Sequence, residues 1–222
     1  MKVLIINTLY SPFKVGGAEV SVQLLAEELA KKKIDVHIAT LVPRGSKYAH
    51  TSATVNNVRV HYLPLLSFYW PFENEKRNPF LKLAWHLLDN SNPLMYRQLK
   101  KLISSIQPTV IHTNNLSGFS AGTLKFIKTA FPKLKLVHTA RDYFFYDFRT
   151  TLFRNGQIIY KSNIKSKICI LFRVRYLKYI DDFIGISNYI YDFHKDELDK
   201  FGVNGTVVYN PIDLDLNINS GF

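Results

Sequence analysis

Met1-Lys2-Val3-Leu4-Ile5-Ile6-Asn7 and Asp35-Val36-His37-Ile38-Ala39-Thr40, with one helical stretch between them, decide the fold. Val3 to Ile6 is a short, unbroken apolar run bounded by polar residues. That pattern suits a strand covered on both faces of a parallel sheet. Pro12 and Gly16-Gly17 then mark a loop. Val22, Leu25, Ala26 and Leu29 recur at helical spacing, and Lys31-Lys32-Lys33 closes the helix, where cations suit the negative end of its dipole. A strand, a helix and a second strand at this spacing form a crossover, so the two strands run parallel.

The same rhythm extends outward. Residues 43–64 alternate and carry Asn56-Asn57 ahead of Val58-Arg59-Val60-His61-Tyr62, which predicts a strand with a turn before it. One helix is expected to start near Asn78-Pro79, and another to cover 93–106 with Met95, Leu99, Leu102, Ile103 and Ile106 on one face. Thr109 to His112 reads as a strand, 117–131 as a helix and Lys135 to His138 as a strand. After an excursion come a helix near 164–180, a strand over 182–186, a helix capped by Ser187, and a last strand at Thr206 to Tyr209. Alternation of this kind predicts an α/β fold, a Rossmann-like doubly wound and mainly parallel sheet. It fills one domain over 1–213, elaborated at 65–96 and 143–180.

A chain of 222 residues, 47% of them hydrophobic, supports a sizeable core and excludes global disorder. The single cysteine, Cys169, rules out a disulfide framework and a cysteine-based zinc site. Its apolar neighbours make it a small core residue, and the composition points to a reducing compartment. The N-terminal apolar run is too short for a signal peptide, and no stretch of about 18 uncharged apolar residues exists to span a bilayer. A cytoplasmic location is therefore expected.

The net charge is +12, from 29 Lys and Arg against 17 Asp and Glu. The 154–178 stretch holds seven cations and no acid, which makes Lys165, Lys167, Arg173 and Arg175 the candidate basic face. Phe172, Tyr176 and Tyr179 lie among those cations. Residues 65–96 add Phe68-Tyr69-Trp70-Pro71-Phe72, Phe80, Trp85 and Met95. Such a mixture suits an anionic membrane surface or a lipid-linked acceptor. Ordinary packing of an elaborated lobe explains the same residues equally well. No RNA-recognition, helix-turn-helix or zinc-finger spacing accompanies the charge, so no nucleic-acid partner is expected.

In a doubly wound sheet ligands bind beyond the carboxyl ends of the strands. Five places qualify: Gly16-Gly17, His112 to Asn115, Arg141-Asp142, Ser187-Asn188 and Asn210 to Asp213. The glycine pair either admits an anion to the following helix N-terminus or serves a loop that needs positive φ. It is neither a dinucleotide fingerprint nor a phosphate-binding P-loop. His37, His61, His112 and His138 lie in or beside strands and have no metal-ligand spacing on one helix face. Ser187 reads as a cap rather than a nucleophile.

Tyr10-Ser11-Pro12, Gly16-Gly17-Ala18-Glu19, Pro108 to Asn114, Val137 to Tyr143, Ile184 to Ser187 and Val208 to Asp213 occur in an order that resembles family-4 retaining glycosyltransferases of the GT-B fold. The likeness is strongest to the branch that builds bacterial surface polysaccharides. It implies a nucleotide-sugar donor, retention at the anomeric carbon and no cofactor or obligatory metal. It implies a sugar or polyprenyl-linked acceptor and a peripheral position on the inner face of the membrane. Gly16 and Gly17 would approach the donor diphosphate, Arg141 and Asp142 would be catalytic, and Glu19, Asn114, Asn115, Ser187 and Asn210 would line the acceptor or cleft side. The family usually places a histidine before the aspartate at 142, where this chain has Arg141. An arginine cannot act as a base but holds phosphate or carboxylate bidentately, unless the pair merely orders a loop. Glu19 and Glu27 share the spacing of the family's donor motif, yet that motif belongs to the second domain. In the resembled family Asn210 to Asp213 begins the crossing to a C-terminal donor-binding domain, which makes 214–222 the start of a linker. The expected activity is that of an acceptor-side half, inactive alone. The alternative is a non-catalytic, membrane-tethering or partner-binding module of a split glycosyltransferase.

Overall fold

The structure is a computed structural model, and it describes residues 1–13, 16–72, 77–154, 156–158 and 164–212. The opening crossover is present as β1 (Lys2–Ile6), α1 (Gly17–Lys31) and β2 (Asp35–Val42), with Val3 beside Val36 in a parallel pair. β1 is sandwiched because its side chains divide between the two faces. Val3 and Ile5 pack with Val22 and Ala26 of α1, whereas Leu4 and Ile6 join the core on the opposite face.

Two further strands, β3 (Thr51–Val55) and β4 (Val58–Pro64), form an antiparallel hairpin whose β4 lies parallel to β2. The expected single strand is thus two. Asn56 and Asn57 both take positive φ (48° and 64°), the conformation a tight hairpin turn demands. All of β3 except Val55 is exposed, so it carries no alternation to read.

Helices α2 (Pro79–Asn90) and α3 (Pro93–Ile106) start at Asn78 and Asn92, whose side chains cap them ahead of a proline. Then follow β5 (Val110–Thr113), α4 (Thr123–Ala130), β6 (Lys135–Ala140), the short pair β7 (Phe153–Arg154) and β8 (Gln157–Ile158), and α5 (Ile164–Arg173). A 3-10 turn over Val174–Tyr179 leads to β9 (Asp182–Gly185), α6 (Asn188–Phe201) and β10 (Asn204–Val207). α4 starts six residues later than the periodicity predicts. Gly118 and Ser120 take φ of 85° and 86°, which no helix accommodates. The last strand sits two residues earlier than expected, with Asn204 paired to Asp182.

The eight main strands lie in the order β10-β9-β6-β5-β1-β2-β4-β3, all parallel except β3 at the edge. From β1 the chain moves outward through β2, then returns to β5 on the other side and moves outward again. The carboxyl ends of β1 and β5 therefore stand at the point where the winding reverses, where such sheets open a crevice. Backbone bonds from Asn114 N–H to Ile6 O at 2.9 Å and from Thr8 N–H to Asn115 O at 3.1 Å stitch that junction. Leu99 and Ile103 of α3, Leu124 and Ile127 of α4 and Leu198 of α6 close the face opposite α1.

Candidate functional site

Arg141 leaves the end of β6 and reaches two asparagines from other elements. Its Nε donates to Asn114 Oδ1 at 3.0 Å, and its Nη1 donates to Asn210 Oδ1. Asn114, at the end of β5, is 3% exposed, and its Nδ2 finds no acceptor among the described residues. A buried amide whose donor has no partner thus lies against a guanidinium. Burial draws Arg141 down to about 10, partly offset by the charge of Glu19, so it stays a cation at neutral pH.

Glu19 is itself buried in the first turn of α1, and its Oε2 accepts the Gly16 N–H at 2.8 Å. The carboxylate satisfies one orphan donor of the helix start while balancing Arg141. Gly16 and Gly17 are exposed. Gly16 is extended (φ −157°) and neither takes a positive φ, which removes the strained-loop explanation for the pair. No atom lies within 4 Å of where a Cβ on Gly17 would sit, so the loop is open toward solvent.

Asp142 accepts the Phe144 N–H at 3.0 Å, and desolvation pushes its carboxyl up to about 6. Its visible work is to turn the chain after β6. Beside Arg141 and Asp142 opens a cavity of about 410 Å³, lined also by Tyr143, Thr150 to Phe153 and Tyr189. The 143–180 elaboration therefore supplies one wall, which its aromatic and basic composition does not single out. Thr150 is held there by accepting the Tyr143 N–H at 3.0 Å, with its own φ at 62°.

Gly16, Glu19, Asn114, Arg141 and Asn210 are brought together, whereas two other expected cleft residues have structural duties. Asn115 receives the Thr8 hydroxyl at 3.0 Å and the Ser117 N–H at 3.0 Å. Ser187 Oγ accepts the Ile190 N–H at 3.2 Å and caps α6. His112 and His138 are strand histidines bonded to Thr139 and Thr113, and burial pulls them down to about 4 and about 3, so both are neutral. Among the described residues, no group of three or more His, Cys, Asp or Glu could hold a metal ion.

The basic face needs one correction. Arg173 is 1% exposed and pairs with Asp89 at 2.9 Å, so it belongs to the interior. Lys167 and Arg175 are exposed as expected, and the side chain of Lys165 lies outside the described residues. The linker expected at 214–222 also lies outside them.

The sequence description of Glycosyltransferase Family 4 matches residues 15–216. The chain belongs to glycosyltransferase family 4. An uncharacterized 42.6 kDa protein in the cps region of Klebsiella pneumoniae is 36% identical to this family-4 chain over 221 residues, covering 97% of the chain and 58% of that protein. The chain thus spans little more than half the length of that relative. Sucrose-phosphate synthase from Thermosynechococcus elongatus superposes with a TM-score of 0.61 at 15% identity, over 97% of this chain and 49% of that one. HepE of Anabaena, in complex with UDP and glucose, superposes at 0.50 with 14% identity, over 97% and 46%. At those identities the likeness is one of fold: this family-4 chain has the architecture of one half of such GT-B enzymes. No helix among the described residues is long and apolar enough to cross a membrane.

Proposed function

We propose that the chain is the acceptor-side half of a retaining glycosyltransferase that moves a sugar from a nucleotide-sugar donor to a lipid-linked acceptor in surface-polysaccharide synthesis. The observation that carries this is the buried Asn114 amide, its Nδ2 unpaired among the described residues, beside Arg141 at the carboxyl ends of β5 and β6. A fixed cation and a desolvated donor suit an oxygen-rich anion, and charge on such an oxygen grows as a glycosidic phosphate departs. The cps-region relative supports the polysaccharide setting. The open Gly16-Gly17 loop supports close approach of a diphosphate, with the positive end of α1 behind it.

In this reading Arg141 holds a phosphate or an acidic acceptor group, and Asp142 shapes the loop that positions it. The second wall of the cleft, with most donor contacts, belongs to a further domain, so the chain by itself gives no transfer. No step requires a metal, and a chelator leaves turnover unchanged.

The test uses the longer two-domain protein with a panel of nucleotide sugars and a polyprenyl-linked acceptor, the anomeric outcome being read by NMR. Arg141→Ala lowers kcat about 100-fold or more, and Arg141→Lys restores little, because a point charge does not replace a planar fork. Full activity in Arg141→Ala, or a loss explained by a lower Tm, leaves the residue a loop-orderer and sinks the assignment. Inversion at the anomeric carbon refutes retention. If the longer protein transfers no sugar at all, the non-catalytic module is the reading that remains.

A further inference from the structure

α2 and α5 share an unusual division of their surfaces. In α2 the buried residues are Trp85 and Asp89, four apart, while Phe80, Leu83 and Leu87 on the opposite side are exposed by 82, 58 and 65%. In α5 the buried residues among those described are Cys169 and Arg173, again four apart, while Ile164, Ile168, Leu171 and Phe172 face solvent. Spacings of three and four place each exposed set on one stripe of its helix. Asp89 and Arg173, the buried ion pair, sit in the last turns of the two helices and hold those ends together. Seven large apolar side chains on two joined helices exceed the scattered exposure that needs no explanation.

The exposed charges described on these two helices and on the turn after α5 have one sign. Lys82 and Lys167 are exposed on the helices, and Arg175 and Lys178 are exposed on the 3-10 turn that continues α5. Between 154 and 178 the sequence has no acid, and the one acid of α2 is the buried Asp89. A second copy of this face would set cation against cation. An anionic lipid surface complements both features, since acyl chains take the apolar stripe and headgroups take the cations.

We propose that α2 and α5 form a membrane-inserting face, with Phe80, Leu83, Leu87, Ile168 and Leu171 entering the acyl boundary. Lys82, Lys167, Arg175 and Lys178 lie at the headgroups of an anionic leaflet. The insertion deepens the lipid-linked acceptor reading, and the face differs from a purely basic patch in its response to salt. Screening weakens the cations, but the apolar contribution persists.

The test is flotation with vesicles of phosphatidylglycerol and phosphatidylcholine, using both this chain and the longer protein that contains it. Both bind, and a measurable part of the binding survives 0.5 M salt, about three times physiological ionic strength. Phe80→Ser/Leu83→Ser/Leu87→Ser and, separately, Ile168→Ser/Leu171→Ser each lower partitioning by at least about tenfold, since each side chain removes a substantial apolar area. Both variants keep the wild-type Tm, because the replaced side chains are exposed. Unchanged binding by either variant, or complete loss of wild-type binding in salt, overturns the insertion. So does binding by this chain but not by the longer protein, which would mean that the rest of the protein covers the face. A dimer dissolved by the same substitutions overturns it in favour of a second copy. Transfer to a detergent-solubilised acceptor is measured in parallel, so a failed membrane face and a failed glycosyltransferase reading are told apart.

Discussion

Arg173→Met removes a guanidinium that composition alone places on the surface. Its Nη2 donates to Asp89 Oδ2 at 2.9 Å, its Nη1 donates to the Phe144 carbonyl at 2.9 Å, and its plane lies 4.3 Å from the centre of the Phe144 ring. Methionine fills much of the space with no donor. The Asp89 carboxylate is left buried, with the Gly118 N–H at 2.6 Å as the remaining bond described for it. Stranding one partner of a buried pair costs about 3–5 kcal/mol, and the orphaned Phe144 carbonyl costs about 1 kcal/mol more. With an unfolding entropy of about 2.1 cal/mol/K per residue, each kcal/mol moves the Tm of a domain this size by about 2 °C, so a fall of about 8–12 °C is expected. The pH dependence has a definite sign. Burial has already pushed the Asp89 carboxyl up from 3.8 to about 6, and loss of Arg173 pushes it further up. A carboxyl with a raised folded value binds its proton more tightly when folded. Its contribution is then most favourable below about pH 4 and declines as pH rises through 6 and beyond. The Arg173→Met deficit is accordingly smaller at pH 5 than at pH 7.5. Thermal melts followed by circular dichroism at both values read this directly. A Tm within about 2 °C of wild type at pH 7.5, or a deficit that does not shrink at pH 5, refutes the buried-pair account.

Gly118→Ala must adopt a φ of 85° and bring a Cβ within 2.7 Å of Leu41 Cδ1, so its urea midpoint drops by an amount equivalent to about 2 kcal/mol. Gly185→Ala sets a Cβ 2.9 Å from the backbone nitrogen of Tyr191 and forces α6 off β9; a melt indistinguishable from wild type would show that the helix moves freely. Ser187→Ala loses the α6 cap, costing about 1 kcal/mol in chemical denaturation, and leaves the turnover proposed for the longer protein unchanged at a temperature where both forms are folded.

The sheet was legible because its signals are local. Val3 to Ile6, the prolines behind Asn78 and Asn92 and the hydroxyl of Ser187 each act on neighbours within a few residues. What escaped depends on distant partners. Arg173 stands in a stretch of cations without acids, and only the Asp89 carboxylate, 84 positions earlier, makes it an interior residue. The exposed stripes of α2 and α5 show the helical period that a core-facing helix shows, and periodicity does not say which side of a stripe is wet. Gly185 and Gly205 look like ordinary strand residues, yet both make room for Tyr191 of α6. Within the site, Arg141, Asn114 and Asn210 could be named from their places after strands. The wall at Thr150 to Phe153 depends on a loop folding back to Tyr143, which no spacing announces.

Glu19 gives the candidate site a peculiar electrostatic balance. Its carboxylate already accepts the Gly16 N–H, and its charge favours the cationic form of Arg141, so the first helix supplies a counter-charge of its own. In the proposed function, a ligand anion that uses both groups would enter by exchange rather than by filling a bare positive hole. Its affinity is the difference between two anions for the same donors, and a compact dianion outcompetes a single tethered carboxylate where a neutral hydroxyl does not. On that reading, discrimination against weakly charged intruders comes from the first turn of α1, at the cost of a weaker hold on every anion that is admitted.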